Sequence, residues 1–320
     1  MSESNHIGQP GVAIVGAGLV GLGWTIVFAR ARLSVKVFDR SAELMVGLPT
    51  KLEKSLTALA QANLIDESPH VIMGRIAYAA DLAEAVEGAG YVQESVLERV
   101  DVKSGLYEEL NDLLGPDTIV GSSSSGIPSS AFTAGLEIAP RCLVAHPVNP
   151  PYLIPVVELV PADWTRSQAM DAVYTLMQAV GQHPIRVTRE LRGFVLNRLQ
   201  GALLREAWAL LDEGYCSAAD IDATISKGLG MRWSFMGPFE TIDLNASGGI
   251  RDYAERLGDL YLQIDRERTD PQPWSDDLIA RAEVERRETL PQTALGERSE
   301  WRDRRLMALA VHMRAQEQSE

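Results

Sequence analysis

Cysteine is scarce in this chain: Cys142 and Cys216 are the only two among 320 residues. A disulfide framework is therefore excluded, and a reducing compartment is expected. No Cys-x-x-Cys pair and no His-x-x-x-His pair occurs, so no metal site is expected. No apolar run is long enough to span a bilayer, and the polar N-terminus carries no signal-like apolar stretch. Basic residues are also in deficit, 30 Lys and Arg against 44 Asp and Glu, for a formal charge of −14. Nucleic acid and anionic membranes are disfavoured as partners by that charge. No internal repeat and no low-complexity segment is visible. The remainder, 46% hydrophobic and 23% charged, is ordinary for a globular protein long enough for two domains. A cytoplasmic protein is the expectation.

The stretch from Gly11 to Arg40 organises what is present. Val12 to Val15 form a short apolar run of the kind buried on both faces of a sheet. Gly16, Gly18 and Gly21 follow at G-x-G-x-x-G spacing, and Val20, Trp24, Val27, Phe28 and Ala31 recur at helical intervals. A second strand-like run, Val35 to Phe38, ends in Asp39. A glycine pattern alone could be an ordinary crossover turn. Between a strand and a helix, with an acid after the second strand, it is a dinucleotide fingerprint. The helix N-terminus would face the pyrophosphate. Asp39 would accept from the adenosine ribose and repel a 2′-phosphate, favouring NAD over NADP, with Arg40 as the residue arguing the other way.

Strand-like and helical segments then alternate. A helical pattern over Ala42–Ala62 is interrupted by Pro49 and carries mixed charges, Glu43 and Glu53 offsetting Lys51 and Lys54. Strands are predicted at Ile76–Tyr78, Tyr91–Gln93, Ile119–Gly121, Cys142–Ala145, Val156–Val160 and Ile185–Thr188. Helices are predicted at Leu82–Val86, Val102–Leu114 and Ala169–Val180. This is the pattern of a doubly wound parallel sheet. Beyond it the periodicity turns helical, at Gly193–Glu213, Ala218–Leu229 and roughly Glu297–Gln316, with a polar, loop-like stretch at Gln263–Trp274. The expected architecture is α/β: a flexible tail over 1–10, a Rossmann-type domain over 11–190, and an all-α domain for substrate and dimerisation over 191–320.

Two features suggest chemistry. The serine run Ser122–Ser125 follows a strand, where ligands bind in such sheets, although serines there are also ordinary turn and cap residues. His146 ends another strand ahead of a proline-rich loop. Glu158 stands inside the β-branched run Val156–Val160, where a carboxylate is costly to bury without a partner. Paired to His146, it would set the ring tautomer and leave the other nitrogen as a base. On an edge strand it would simply face solvent.

Five segments, GAGLVGLGW, QESVLERVDVK, AHPVNPPYLIPVVELVP, GFVLNRLQGALLREAW and GLGMRWSFMGPFETIDLNA, span nearly the whole chain. Together they resemble the 3-hydroxyacyl-CoA dehydrogenase superfamily, and within it the lambda-crystallin branch, whose members act as L-gulonate 3-dehydrogenases. The resemblance implies NAD-dependent oxidation of a C3 hydroxyl, with His146 as base and Glu158 orienting it. It implies Ser125 and Asn197 as substrate contacts. Leu19 and Val20 would lie at the pyrophosphate, with Asp39, Glu98 and Lys103 as further NAD contacts. General acyl-CoA members carry an aromatic pair where this chain has Pro147-Val148. CoA binding commonly uses a lysine-rich helix after the second strand, which the mixed Ala42–Ala62 segment is not. A small free acid, L-gulonate oxidised to 3-dehydro-L-gulonate, is therefore expected over 3-hydroxybutyryl-CoA or carnitine. Arg232 is a candidate partner for its carboxylate, or else a surface or subunit-contact residue. Members of the branch also serve as abundant lens proteins, so an NAD-binding structural role is the alternative of another class. A homodimer through the helical domain is expected from its apolar faces, among them Leu199, Leu203, Leu204 and Leu210.

Overall fold

The computed structural model describes residues 11–317; the expected tail at 1–10 lies outside them. The first strand, β1 (Gly11–Val15), leads through the glycine turn into α1 (Leu19–Arg30), followed by β2 (Val35–Phe38) and α2 (Ala42–Gln61). Then come α3 (Pro69–Met73), β3 (Ile76–Tyr78), α4 (Leu82–Val86), β4 (Ala89–Glu94), α5 (Val100–Leu113), β5 (Ile119–Ser122) and α6 (Ser130–Thr133). The sheet is completed by β6 (Cys142–Pro147), β7 (Val156–Pro161), α7 (Ser167–Ala179) and β8 (His183–Arg186). One sheet results, in the order β3-β2-β1-β4-β5-β6-β7-β8. All neighbours are parallel except β6 and β7. The order reverses between β1 and β4, the switch point at which open α/β sheets bind ligands.

The expected elements form, with shifted ends. Helix α2 runs unbroken through Pro49, which, lacking an N–H, forgoes one intrahelical hydrogen bond. Its face of Leu48, Leu52, Leu56 and Leu59 is fully buried and holds it in place. The last strand begins two residues ahead of expectation, at His183. Cys142 is a core residue of β6, and burial pushes its thiol up to about 12, so it is no nucleophile at neutral pH.

Helices make up the rest: α8 (Leu196–Asp212), α9 (Ala218–Thr224) running into a π-helical turn at Ile225–Leu229, α10 (Gly230–Trp233), α11 (Pro238–Leu244), α12 (Gly249–Glu267), α13 (Asp276–Thr289) and α14 (Leu295–Glu317). The stretch expected as a loop from Gln263 is helical as far as Glu267. The chain divides into two compact units, one holding the residues up to Gln200 and from Asp303 onward, the other Gly201–Arg302. The C-terminal part of α14 thus belongs with the sheet. Met307 is buried in the main core, with Leu306 and Ala310 packed against it. None of the described helices is long and apolar enough to cross a membrane.

Candidate active site

At the switch point the glycines act as their spacing implies. Gly16 has φ +109°, and a Cβ there would lie 2.4 Å from the carbonyl oxygen of Ser95. One on Gly21 would lie 1.8 Å from the oxygen of Gly16, whereas one on Gly18 would meet nothing within 4 Å. Turn and packing thus require the outer two, and the middle one faces open space. No side chain caps the N-terminus of α1, and no acid stands in its first turn. Those free amides, with Leu19 exposed beside them, suit a pyrophosphate. Asp39 follows β2 and accepts from the backbone N–H of Ala17 (2.7 Å) and of Ser41 (2.8 Å). One carboxylate thereby ties the glycine turn to the start of α2 and keeps further lone pairs for a ribose. Arg40, the residue that argued for NADP, is an exposed partner of Glu109.

The proton-transfer pair is built by the antiparallel step in the sheet. His146 on β6 stands directly opposite Glu158 on β7, so both side chains leave the same face. Strand β7 is interior, between β6 and β8, and Glu158 is fully buried, not solvent-facing. His146 Nδ1 lies 2.8 Å from Glu158 Oε2. The other oxygen, Oε1, accepts from the backbone N–H of Val195 (2.7 Å) and Leu196 (2.9 Å) at the start of α8. Burial alone would raise the Glu158 carboxyl. The hydrogen bond to His146 and those from Leu196 and Val195 outweigh it, and hold the group below the usual carboxylate range. An ionised carboxylate only accepts, so Nδ1 carries the proton and neutral His146 presents a bare Nε2. No hydrogen bond within the protein engages that nitrogen among the described residues. The ring packs against fully buried Phe194, 5.8 Å between centroids. Phe194 (φ 49°) follows Gly193 (φ 76°), a left-handed pair that turns the chain into α8.

Asn197 stands in the first turn of that helix and donates from Nδ2 to the carbonyl of Ser125 (2.6 Å). Glu98 holds the loop from its other side, accepting from Ser124 Oγ (2.7 Å) and from the N–H of Ser125 (2.9 Å) and Gly126 (3.0 Å). Hydrogen bonds thus join Glu98, Ser125 and Asn197 in one group and His146 and Glu158 in another, and Asn197 directly follows Leu196, whose N–H holds Glu158. Lys103 is placed otherwise. It is 1% exposed, and its Nζ donates to both oxygens of Glu94 (2.7 and 2.9 Å). Arg232 stands on α10 in the other compact unit.

Sequence reasoning missed the amides of Val195 and Leu196, the Phe194 wall and the partner Glu94. Only Gly193, which opens the GFVLNR segment, signalled the tight turn.

An uncapped helix at a sheet switch point, a ribose acid and a histidine with one free ring nitrogen define an NAD-dependent dehydrogenase acting on a CH–OH group. Family comparison agrees. The 3-hydroxyacyl-CoA dehydrogenase NAD-binding domain matches residues 11–191, and the C-terminal domain of the same family matches residues 193–290. The chain therefore belongs to the 3-hydroxyacyl-CoA dehydrogenase family. It is 40% identical over 318 residues to the lambda-crystallin homolog of Bos taurus, covering 97% of this chain and 98% of that protein. It is 36% identical over 247 residues to the L-carnitine dehydrogenase of Burkholderia mallei strain ATCC 23344, covering 77% of this chain and 76% of that one. Among solved structures it is similar to 5-formyl-3-hydroxy-2-methylpyridine 4-carboxylic acid 5-dehydrogenase, an NAD+-dependent dismutase. That likeness has a TM-score of 0.80 and 27% identity, over 94% of this chain and 97% of that one.

Proposed function

We propose that this dehydrogenase oxidises the C3 hydroxyl of a small free hydroxy acid, L-gulonate, with His146 and Glu158 as its general base. The observation that carries the base is the free Nε2 opposite a buried, ionised Glu158. NAD, when bound, supplies the hydride acceptor. Neutral His146 takes the hydroxyl proton at Nε2 as hydride leaves the carbinol carbon. Glu158 stabilises the imidazolium so formed. Its second oxygen, held by the N-terminal amides of α8, keeps it from swinging away. Asn197, anchored to the Ser125 carbonyl, and the Ser125 hydroxyl orient the substrate oxygen.

Support for a free acid comes from α2. Its exposed lysines, Lys51 and Lys54, are interleaved with the acids Glu43 and Glu53, a poor match for the phosphates of a CoA moiety. The test is NADH formation, followed by absorbance, with L-gulonate, 3-hydroxybutyrate, carnitine and 3-hydroxybutyryl-CoA compared at saturating NAD. The highest kcat/KM is expected for L-gulonate; preference for the thioester would overturn the substrate reading and leave the base intact. We also propose a cytoplasmic homodimer. Helix α8 leaves Leu199, Leu203 and Leu204 exposed, apolar surface of the kind a subunit contact covers. A monomer by light scattering would refute it.

A further inference from the structure

A second polar cluster lies beneath the glycine turn, and the chemistry of its atoms determines its hydrogen-bond directions. Gln93 on β4 and Trp24 on α1 are fully buried. The carbonyl of Ala145, the residue before His146, can only accept, so the amide nitrogen of Gln93 faces it (3.3 Å). The amide oxygen then faces the Tyr91 hydroxyl, which donates (2.5 Å). The second amide hydrogen of Gln93 goes to Ser123 Oγ (2.8 Å). The indole N–H of Trp24, a donor only, goes to the same oxygen (3.1 Å). A hydroxyl oxygen accepts two hydrogen bonds and donates one. With both lone pairs taken, Ser123 has one remaining role towards Ser95 Oγ, 2.8 Å away: it donates. Ser95 therefore accepts from Ser123 and keeps its own proton, for which the structure provides no acceptor among the described residues.

Ser95 is positioned to use that proton. It directly follows β4, its N–H donates to the carbonyl of Val15 (2.7 Å), and Gly16 packs on its own carbonyl. Its hydroxyl stands at the carboxyl ends of β1 and β4, the two strands that flank the switch point. We infer that Ser95 is an NAD-binding residue whose hydroxyl donates to an acceptor oxygen of the dinucleotide, directed outward by Trp24, Gln93 and Ser123. Of the two ways the Ser95–Ser123 hydrogen bond could run, only this one leaves a donor for a ligand. Trp24 and Gln93 are positioning residues: they act on the cofactor through Ser123 and Ser95. The inference rests on NAD being the cofactor and is independent of the substrate.

Calorimetric titration with NADH tests it without turnover. Ser95→Ala removes the donor and no packing volume that Gly16 needs, so the fold is retained and Kd for NADH rises about 2- to 10-fold. Trp24→Phe keeps a ring stacked on Phe28 but frees a lone pair on Ser123. Ser95 can then donate inward, and Kd rises by part of the same factor. The double variant binds no more weakly than Ser95→Ala, because the second change has nothing left to redirect. A Ser95→Ala protein with native circular dichroism and wild-type Kd overturns the inference. Additive losses in the double variant overturn the directing role of Trp24. Absence of NADH binding by the wild-type protein would overturn the cofactor assignment itself, a result distinct from either.

Discussion

Two buried carboxylates in the same sheet hold two basic groups, and only one of those groups keeps a nitrogen free of hydrogen bonds among the described residues. Glu94, at the end of β4, receives two of the three hydrogen bonds of Lys103, the Ser122 hydroxyl (2.5 Å) and the N–H of Val96 (2.8 Å). Every strong acceptor site is filled, and the ammonium is sealed from water. Glu158 is equally buried and makes three hydrogen bonds, to His146 and to two backbone amides at the start of α8. Its partner, however, is a ring with a second nitrogen, and that nitrogen is left open. A closed pair stabilises the fold, whereas a pair with one unused valence can do chemistry. The same logic of counting donors and acceptors identifies Ser95 as an outward donor in an otherwise saturated network.

Breaking the open pair has the largest expected effect on catalysis. His146→Ala should lower turnover on the order of 10²- to 10⁴-fold, measured as kcat for NADH formation, and, by leaving buried Glu158 one hydrogen bond short, should also lower the thermal midpoint. Retained turnover would remove His146 from the role of base. Breaking the closed pair should act on stability above all. Lys103→Met strands a buried carboxylate without a cation and should destabilise the protein by about 3–5 kcal/mol, read by denaturant unfolding. An unfolding midpoint like the wild type would show that Glu94 finds another partner.

A subtler variant sharpens the contrast through pH. The Glu158 carboxyl is depressed below its ordinary range in the folded protein. Its contribution to stability is present above the unfolded titration and lost as pH falls through the lower folded value. Wild-type unfolding midpoints should therefore drop on acidification below the usual carboxylate range. Glu158→Gln should flatten that part of the profile and lower kcat, and an unchanged profile would assign the acid sensitivity to other groups. Arg40→Ala, which breaks only an exposed ion pair with Glu109, should change stability by about 0–1 kcal/mol and leave the preference for NAD intact. Arg232→Lys tests the proposed carboxylate contact: KM for the acid should rise with kcat retained, and an unchanged KM dismisses it.

Much of the site was legible in the primary structure because its parts are local. A turn that needs glycine, a helix that follows it and an acid after the next strand are encoded within thirty or so residues, and strand and helix periods reveal where they fall. His146 and Glu158 were legible for a related reason: a buried acid in a β-branched run demands a partner. The interior place of Glu158 was not, since strand order is a property of the whole sheet. Lys103 shows the converse limit. Its position in the motif suggests a cofactor contact, but the direction of its side chain depends on Glu94 and Ser122, which come from the strands β4 and β5. The return of α14 to the sheet was equally hidden, because a helix face does not state which core it will join.

By itself the sequence determined the dinucleotide turn, the alternation that makes a doubly wound sheet, the family and the pair of residues from which the proposed base is built, all carried by short-range spacing and side-chain chemistry. The tertiary structure alone decided which valences are filled. It set His146 opposite Glu158 by turning β7 antiparallel, placed the α8 amides on the free carboxylate oxygen, closed Lys103 off and left the Ser95 proton unclaimed. The reason is physical. A hydrogen bond is settled by distance and direction in space, and residues far apart along the chain acquire both only when the fold is complete.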